Sequence, residues 1–177
     1  KTKAVAYGAW DISSKPTKVE KLANGNLRFY EKLPHYPAIG SLLNSSGVTS
    51  QNRYSAAVWG ISSKNISIDG VIVNYSIGMG FMFERCENIV LKKSGVYLPQ
   101  STNRVVASNA DATHFANCKG DILIENCRFE NMLDDGTNVH GTYAIIDQII
   151  NEKTLRIKFG HPQQQGFVFG TEADKIW

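Results

Sequence analysis

The chain has 177 residues, of which 42% are hydrophobic and 20% are charged, and its formal net charge is +3 at pH 7. This length is enough for a domain with a sizeable core, and the mixed composition is typical of a globular protein rather than a disordered or fibrous one. The small charge, without a basic block, argues against nucleic-acid binding, and no apolar run reaches the roughly 18–20 residues of a membrane span.

The N-terminal fifty residues carry few helix signals. The segment KVEKLANG (18–25) can be interpreted as a short helix that ends at Gly25 or as a strand followed by a turn at NGN. The alternation in LRFYEKL (27–33) favours the strand and turn. Because the chain starts at Lys1 rather than Met and stops at Trp177, we expect it to be a fragment.

Three segments in the middle of the chain resemble one another: KNISIDGVIV (64–73), ENIVLKKSGVY (87–97) and GDILIENCRF (120–129). Each has an alternating apolar pair, a polar or glycine corner, and a second short alternating run. Asn65 and Asn88 occupy the same place in the first two segments, 23 positions apart, and Asp121 follows 33 positions later. Short alternating strands that recur at this period predict a right-handed parallel β-helix with about 23 residues per coil.

The additional ten residues of the longer interval, YLPQSTNRVV (97–106), are expected to form a loop on the functional face. After Thr142 the pattern changes, since residues 143–160 read as two antiparallel strands around NEKT, and residues 166–177 read as a further strand. We therefore expect a β-helix over residues 1–142 and the beginning of a second, small antiparallel β-domain over residues 143–177.

The acidic doublet Asp134–Asp135 follows Asp111 by one such coil, since Asp111 and Asp134 are 23 positions apart. Equivalent residues of neighbouring coils lie about 4.8 Å apart, so we expect the three carboxylates to cluster on an exposed face. The same count places His114 next to Thr137, at the border of the cluster.

Carboxylates this close repel one another as anions, so at least one is expected to hold a proton near neutral pH. One protonated and one ionised carboxyl group are what glycoside hydrolysis requires. Two other interpretations stay open: a solvated turn and a calcium site, although DDGTN lacks the alternating ligands of a helix–loop–helix calcium loop. The three cysteines, Cys86, Cys118 and Cys127, match no zinc spacing and are interpreted as buried small residues. The aromatic pairs Tyr54/Trp59 and Phe81/Phe83 are interpreted as core residues.

Four motifs together resemble glycoside hydrolase family 110, the α-1,3-galactosidases found largely in gut and marine bacteria. They are AAVWGISSKNISIDGVIVNYSIGMGF, ERCENIVL, NADATHFANCKGDILIENCRFENMLDDGTNVHG and HPQQQGF, and the likeness is strongest from Ser55 to Gly141. The resemblance implies a right-handed parallel β-helix with an inserted β-barrel. It also implies an inverting hydrolase, without a metal or organic cofactor, that removes terminal α-1,3-linked galactose from blood group B or linear α-galactosyl glycans. A secreted, periplasmic or cell-surface location is expected.

By motif, the resemblance assigns the catalytic positions to Asp111, Asp134 and Asp135. By analogy with the inverting polygalacturonases, which are also β-helical, Asp134 protonates the glycosidic oxygen while Asp111 and Asp135 activate water. Sugar hydroxyls are expected to contact three further side chains: His114, Asn138 and His140.

Two other functions stay open. A polygalacturonase-like hydrolase needs cations for its anionic substrate, and among residues near the triad only Arg104 and Arg128 are basic, which argues mildly against it. A non-catalytic glycan-binding β-helix would bind sugar and release no product.

Overall fold

The computed structural model describes residues 16–33, 36–42, 44 and 53–166 of the chain. These residues belong to two compact units, which divide between Ser45 and Ser46. Within the described ranges the regular structure consists of β-strands and one 3₁₀ turn at Pro162–Gln164, with no α-helix. The predicted all-β class is therefore confirmed. No helix in these ranges has the length and apolar character that crossing a membrane would need.

The first unit contains a β-hairpin. Strand β1 (Lys18–Lys21) pairs antiparallel with β2 (Leu27–Tyr30). Gly25 takes a φ of 84° between them, and the side-chain oxygen of Asn24 accepts the N–H of Asn26 at 3.0 Å. The turn that the alternation predicts is confirmed, and the alternative of a short helix ending at Gly25 is wrong.

The second unit contains three parallel sheets of short strands. Their members, in chain order, are β3 (Val58–Ile61), β4 (Lys64–Asp69), β5 (Ile72–Val73), β6 (Phe81–Glu84), β7 (Glu87–Lys92), β8 (Gly95–Val96), β9 (Thr113–Ala116), β10 (Lys119–Glu125), β11 (Arg128–Phe129) and β12 (Thr137–His140). The first sheet has the order β12-β9-β6-β3, the second β10-β7-β4 and the third β11-β8-β5. The chain thus runs through the first, second and third sheets in turn and then returns to the first. One such circuit is called a pass, and each pass places its strands beside those of the pass before it.

The strand register gives the length of each pass. Val58 pairs with Phe81 and Ile66 pairs with Ile89, in both cases 23 positions along, as the sequence repeat predicts. The next pass is longer because residues 97–106 form the predicted loop, outside any strand, between β8 and β9. The alternating apolar residues therefore stack on one another from pass to pass.

A one-residue bulge interrupts the second sheet at Gly120. Glu87 pairs with Lys119, 32 positions along, whereas Ile89 pairs with Ile122, 33 positions along. The register therefore shifts between Lys119 and Ile122, and Gly120 takes a φ of 69° within that interval. Such a φ favours glycine, since a side chain there is strained.

The bulge has a consequence in the first sheet, because the same pass of the chain connects β9 to β12. Thr113 pairs with Thr137, so this pass has 24 residues instead of 23. The bulge is held by Asn88, whose side-chain oxygen accepts the N–H of Asp121 at 3.2 Å.

Asparagines mark the corner before the second sheet. Asn65 and Asn88 take φ values of 53° and 55°, in the left-handed region that asparagine tolerates better than most residues. The Asn88 amide donates to the side-chain oxygen of Asn65 at 3.1 Å. The backbone therefore bends at the second residue of β4 and of β7, and the stacked amides link two passes.

The core lies between the three sheets. Phe81 and Phe83 are buried as expected, and the rings of Phe83 and Phe115 stack with centroids 5.3 Å apart. The expectation that Trp59 and Tyr54 belong to the core is wrong, since they are 52% and 76% exposed. Alternation along β3 turns Trp59 outward, opposite in direction to its neighbours in the strand.

The three cysteines are free thiols in or beside this core. Cys86 is buried, as expected, whereas Cys118 and Cys127 are partly exposed and pack against the core. Burial raises the pKa of the Cys118 thiol.

The packing predicts that Gly80→Ala destabilises the protein. A Cβ at this position would lie 2.4 Å from Val96 Cγ2 and 2.6 Å from the backbone oxygen of Ala112, so the backbone would have to move. We expect a loss of about 1–3 kcal/mol in the free energy of unfolding, measured by urea denaturation. Gly160→Ala is the matched control, because its nearest contact would be an ordinary 3.7 Å from Ile145. Equal stability of the two variants would contradict the prediction.

After the parallel sheets the chain forms a second hairpin. Strand β13 (Ile145–Asn151) pairs antiparallel with β14 (Thr154–Lys158), which confirms the two strands predicted around NEKT. The further strand predicted after Gly166 lies outside the described residues. The division between Ser45 and Ser46 was not foreseen in the sequence, and the predicted boundary near Thr142 stays a prediction.

Candidate functional site

Two acidic segments meet at the same end of two neighbouring strands. Asp111 precedes β9, and the doublet Asp134–Asp135 precedes β12, which pairs with β9 in the first sheet. One oxygen from each of the three carboxylates lies within 4.8 Å of the other two. The structure therefore brings together the three aspartates to which the sequence assigns catalysis.

The cluster differs from the predicted one in register and exposure. The 24-residue pass places Asp111 level with Asp135, not with Asp134, because the bulge adds a residue that the predicted count of 23 omits. Asp111 is only 1% exposed, whereas Asp134 and Asp135 are exposed. The expected exposed face is thus correct for the doublet and wrong for Asp111.

Asp134 is paired with a cation that sequence reasoning missed. The guanidinium of Arg53 donates a hydrogen bond from Nη2 to Asp134 Oδ2. Arg53 precedes the first strand of the repeat, so no periodicity relates it to the doublet. The pair is partly exposed to solvent, which screens its attraction.

The two cations that the sequence places near the triad have other partners. Arg104 lies over the ring of Tyr75, 4.4 Å from its centroid. Arg128 donates two hydrogen bonds of 2.7 Å to Glu130, and this guanidinium lowers the pKa of the Glu130 carboxyl. The expectation that these arginines are the cations nearest the site is therefore wrong.

His114 lies behind Asp111 and pairs in register with Asn138, not with Thr137 as the count of 23 predicts. Its Nδ1 is 2.5 Å from Asp111 Oδ2, and its Nε2 is 3.0 Å from His140 Nε2. The two rings meet edge to face, with centroids 4.9 Å apart and planes at 78°. Since His114 is only 6% exposed, its contacts are within the protein.

The other two predicted sugar-binding residues border the cluster. Asn138 donates from Nδ2 to Asp135 Oδ2 at 3.2 Å, and His140 Nδ1 lies 2.9 Å from the carbonyl oxygen of Gly141. Both side chains are partly buried. The role of Asn138 and His140 in binding sugar stays a prediction.

A pocket of about 390 Å³ adjoins the site on the side of β3. Trp59 lines it, and its indole N–H donates to Glu84 Oε2 at 3.1 Å, which fixes the ring. Trp59 pairs in register with Met82, and Met82 pairs with His114, so the indole lies in the row of residues that crosses the sheet to the histidine. The alternation of VWGI was the signal that could have identified this outward tryptophan.

Calcium is the other common occupant of clustered carboxylates, and it takes six to eight oxygen ligands. All three carboxylates here already form hydrogen bonds: Asp134 with Arg53, Asp111 with His114 and Asp135 with Asn138. An acidic cluster alone does not define a metal site, and the expectation of a metal-free site stays a prediction.

Comparisons with known proteins find a matching domain model and several similar proteins. Residues 1–43 match the model of the GLAA-B beta-barrel domain I. The alpha-1,3-galactosidase B of Phocaeicola vulgatus is 42% identical over 113 residues, 63% of this chain and 19% of the relative. The alpha-1,3-galactosidase A of Shewanella woodyi is 32% identical over 153 residues, 86% of this chain and 24% of the relative. The alpha-1,3-galactosidase A of Bacteroides fragilis is 29% identical over 176 residues, 99% of this chain and 28% of the relative.

These matches confirm the resemblance that the motifs suggest. The chain is similar to proteins named alpha-1,3-galactosidase A and B. It spans between 19% and 28% of the length of the three relatives compared.

Proposed function

We propose that this chain carries the catalytic site of an inverting exo-α-1,3-galactosidase. The site removes terminal α-1,3-linked galactose from blood group B-type or linear α-galactosyl glycans, and its catalytic residues are Asp111, Asp134 and Asp135. The observation that carries the proposal is the approach of these three carboxylates to within 4.8 Å in a chain related to proteins named alpha-1,3-galactosidase.

We also infer that the three parallel sheets are the faces of a right-handed parallel β-helix with about 23 residues per coil. The order in which the chain visits the sheets and the stacked amides of Asn65 and Asn88 support this architecture. The relatives come from bacteria, and a bacterial protein that acts on external glycans would be secreted, periplasmic or on the cell surface.

In the proposed mechanism, Asp134 protonates the glycosidic oxygen, while Asp111 and Asp135 activate a water on the opposite face of the sugar. Inverting enzymes hold the acid and base about 6.5–9.5 Å apart to leave room for this water, whereas retaining enzymes hold them about 5–5.5 Å apart. One oxygen from each carboxylate lies within 4.8 Å of the other two, so an inverting acid and base have to be angled apart from this contact. Since Asp134 is on the exposed side, we propose that its side chain turns away from Asp111 when sugar binds.

Two other functions could use the same arrangement of three parallel sheets. A polygalacturonase-like hydrolase needs free cations for an anionic sugar, but Arg53 is already paired with Asp134. A non-catalytic glycan-binding protein would keep its affinity for sugar without releasing product. The pairing of Arg53 with Asp134 and the similarity to proteins named alpha-1,3-galactosidase favour the galactosidase.

The test is galactose release by the full-length protein from blood group B trisaccharide and from the linear α-1,3 disaccharide. Proton NMR identifies the anomer that forms first. Early β-galactose supports the activity and inversion together, and early α-galactose would support the activity but contradict inversion. Release from neither sugar would contradict the proposal and favour one of the alternatives.

Trp59 is expected to support the part of the substrate beyond the cleaved galactose, because its fixed ring faces the pocket beside the cluster. Trp59→Ala should raise KM for the trisaccharide about 3- to 10-fold, the effect of losing an aromatic contact worth about 1 kcal/mol. Trp59→Phe is the matched control and should keep most of the affinity. An unchanged KM in the alanine variant would remove Trp59 from the site.

A further inference from the structure

Three hydrogen-bonded contacts run in series from Asp111 through two histidines, and we call them the Asp111–His140 line. Asp111 Oδ2 contacts His114 Nδ1 at 2.5 Å, His114 Nε2 contacts His140 Nε2 at 3.0 Å, and His140 Nδ1 contacts Gly141 O at 2.9 Å. Asp111 and His114 are buried, whereas His140 is partly exposed. The count of protons therefore rests on the three short contacts themselves, because two atoms that both accept would repel each other at these distances.

Each of the three contacts needs one proton. The Gly141 carbonyl can only accept, so His140 Nδ1 carries a proton. The two Nε2 atoms need one proton between them, because two bare nitrogens would set lone pair against lone pair. Asp111 and His114 likewise need one, because a carboxylate oxygen and a bare ring nitrogen both accept. The line thus requires three protons, whereas an ionised carboxylate with two neutral imidazoles supplies only two.

We infer that the Asp111–His140 line holds this third proton when the site is at rest, so that the three groups together are electrically neutral. Three placements of this proton satisfy all three contacts equally well: on the Asp111 carboxyl, as a second proton on His114, or as a second proton on His140. The inference rests on the proposed function in one respect only, namely that the reaction at the catalytic carboxylates would use this proton. His114 and His140 then become positioning residues that keep a proton beside the catalytic carboxylates, in place of sugar contacts.

The neighbouring groups do not alter the count. Gln163 Nε2 lies 3.4 Å from His114 Nε2. If this amide donates to His114 Nε2, the proton between the two Nε2 atoms has to lie on His140, and the line still holds three protons. Five charged residues belong to the carboxylate cluster, to its ion pair or to the end of the neighbouring β6: Asp134, Asp135, Arg53, Glu84 and Arg85. Among these, Glu84 bonds to Trp59, and Arg85 donates to Ser62 Oγ and to the Gln163 carbonyl, each at 3.4 Å.

The third proton explains how three carboxylates can lie so close together. A neutral line removes the charge of Asp111, and at rest Arg53 balances the charge of Asp134, which has to take up a proton before it can act as the acid. Asp135 keeps an uncompensated charge, with an N–H from Asn138 at 3.2 Å. With Arg53 included, the cluster then carries a formal charge of −1, against −2 without the third proton, which lowers its mutual repulsion.

The test is the protonation of the ring nitrogens in full-length protein labelled with ¹⁵N-histidine, read from long-range ¹H–¹⁵N spectra at about pH 7. We expect either one doubly protonated ring or two opposite tautomers, with His114 protonated on Nε2 and His140 on Nδ1. His161 is an internal reference, because its Nδ1 accepts the Gln163 N–H at 3.2 Å. Two neutral rings that both leave Nε2 bare would overturn the inference.

The variant His140→Phe gives a second test. Only the contact between Asp111 and His114 then remains, and a single proton on His114 Nδ1 satisfies it, so His114 should be neutral in that tautomer. A doubly protonated His114, or one protonated on Nε2, would overturn the count.

The kinetics of His140→Phe give a further test. A positioning role for His140 predicts a lower kcat with KM within about threefold, whereas a tenfold rise in KM at unchanged kcat would assign His140 to sugar binding.

These results separate the inference from the proposed function. The spectra need no turnover, so a three-proton line in a protein without galactosidase activity would leave the inference standing and reject the function. Full activity with two bare Nε2 atoms would do the reverse.

Discussion

Replacing Asp134 with asparagine is expected to lower the turnover of a natural α-1,3-galactoside by about 10²- to 10⁴-fold, the contribution typical of a positioned general acid. Asparagine keeps the shape of the side chain and an oxygen that can accept the hydrogen bond from Arg53. It cannot donate a proton to the leaving oxygen. Binding of galactose should therefore persist while turnover falls, which inhibition by free galactose measures.

The leaving group distinguishes the loss of an acid from a general disturbance of the site. An aryl α-galactoside whose phenolate leaves without protonation should be slowed by Asp134→Asn much less, about tenfold or under. Asp69→Asn, an exposed position on β4, is the control and should behave as the unchanged protein does. Equal slowing of both substrates by Asp134→Asn would contradict the assignment, and selective slowing by Asp111→Asn would move the acid to Asp111.

Asp135→Asn is expected to have an effect of similar size, about 10²- to 10⁴-fold, because it removes the base that activates water. Asp135 lies level with Asp111 and is the carboxylate without a cationic partner in the proposed charge balance. Azide needs no base, so adding it should restore cleavage and yield β-galactosyl azide.

Absence of azide rescue in Asp135→Asn would contradict the base assignment. Rescue of Asp111→Asn alone would transfer the role to Asp111. Because both variants keep the side-chain volume, thermal unfolding of each should match that of the unchanged protein within a few degrees, which shows that a rate change reflects chemistry.

Most of the arrangement of the strands could be predicted from the sequence. The alternation of apolar residues and the preference of asparagine and glycine for bends both act over a few neighbouring positions. The apolar pairs of the repeat fix which residues face the core, and the pairing of Ile66 with Ile89 follows from a simple count. Asn65 and Asn88 identify the corner because few other residues adopt a positive φ readily. The burial of Phe81 and Phe83 follows in the same way.

The details of the site could be predicted only in part. Counting coils brought Asp111 to the doublet, but it misplaced the pairing by one residue because a glycine at a bulge and a glycine at a corner look alike in sequence. Arg53 precedes the repeat and has no register there, so its contact with Asp134 depends on tertiary structure.

The histidines show the same limit from another direction. Their positions at the border of the cluster follow from the repeat. That His114 has both ring nitrogens engaged, and is almost fully buried, depends on the packing of β9 against its neighbours.

The bulge at Gly120 and the loop at 97–106 both add residues to a pass without changing which strands lie side by side. Length changes are absorbed locally, and pairing resumes beyond them. The strands that follow Asp111 and the doublet thus keep their neighbours when residues are added elsewhere in their own passes. In such a structure the loops can change in length and sequence while the acidic residues stay in place, so the two can evolve separately.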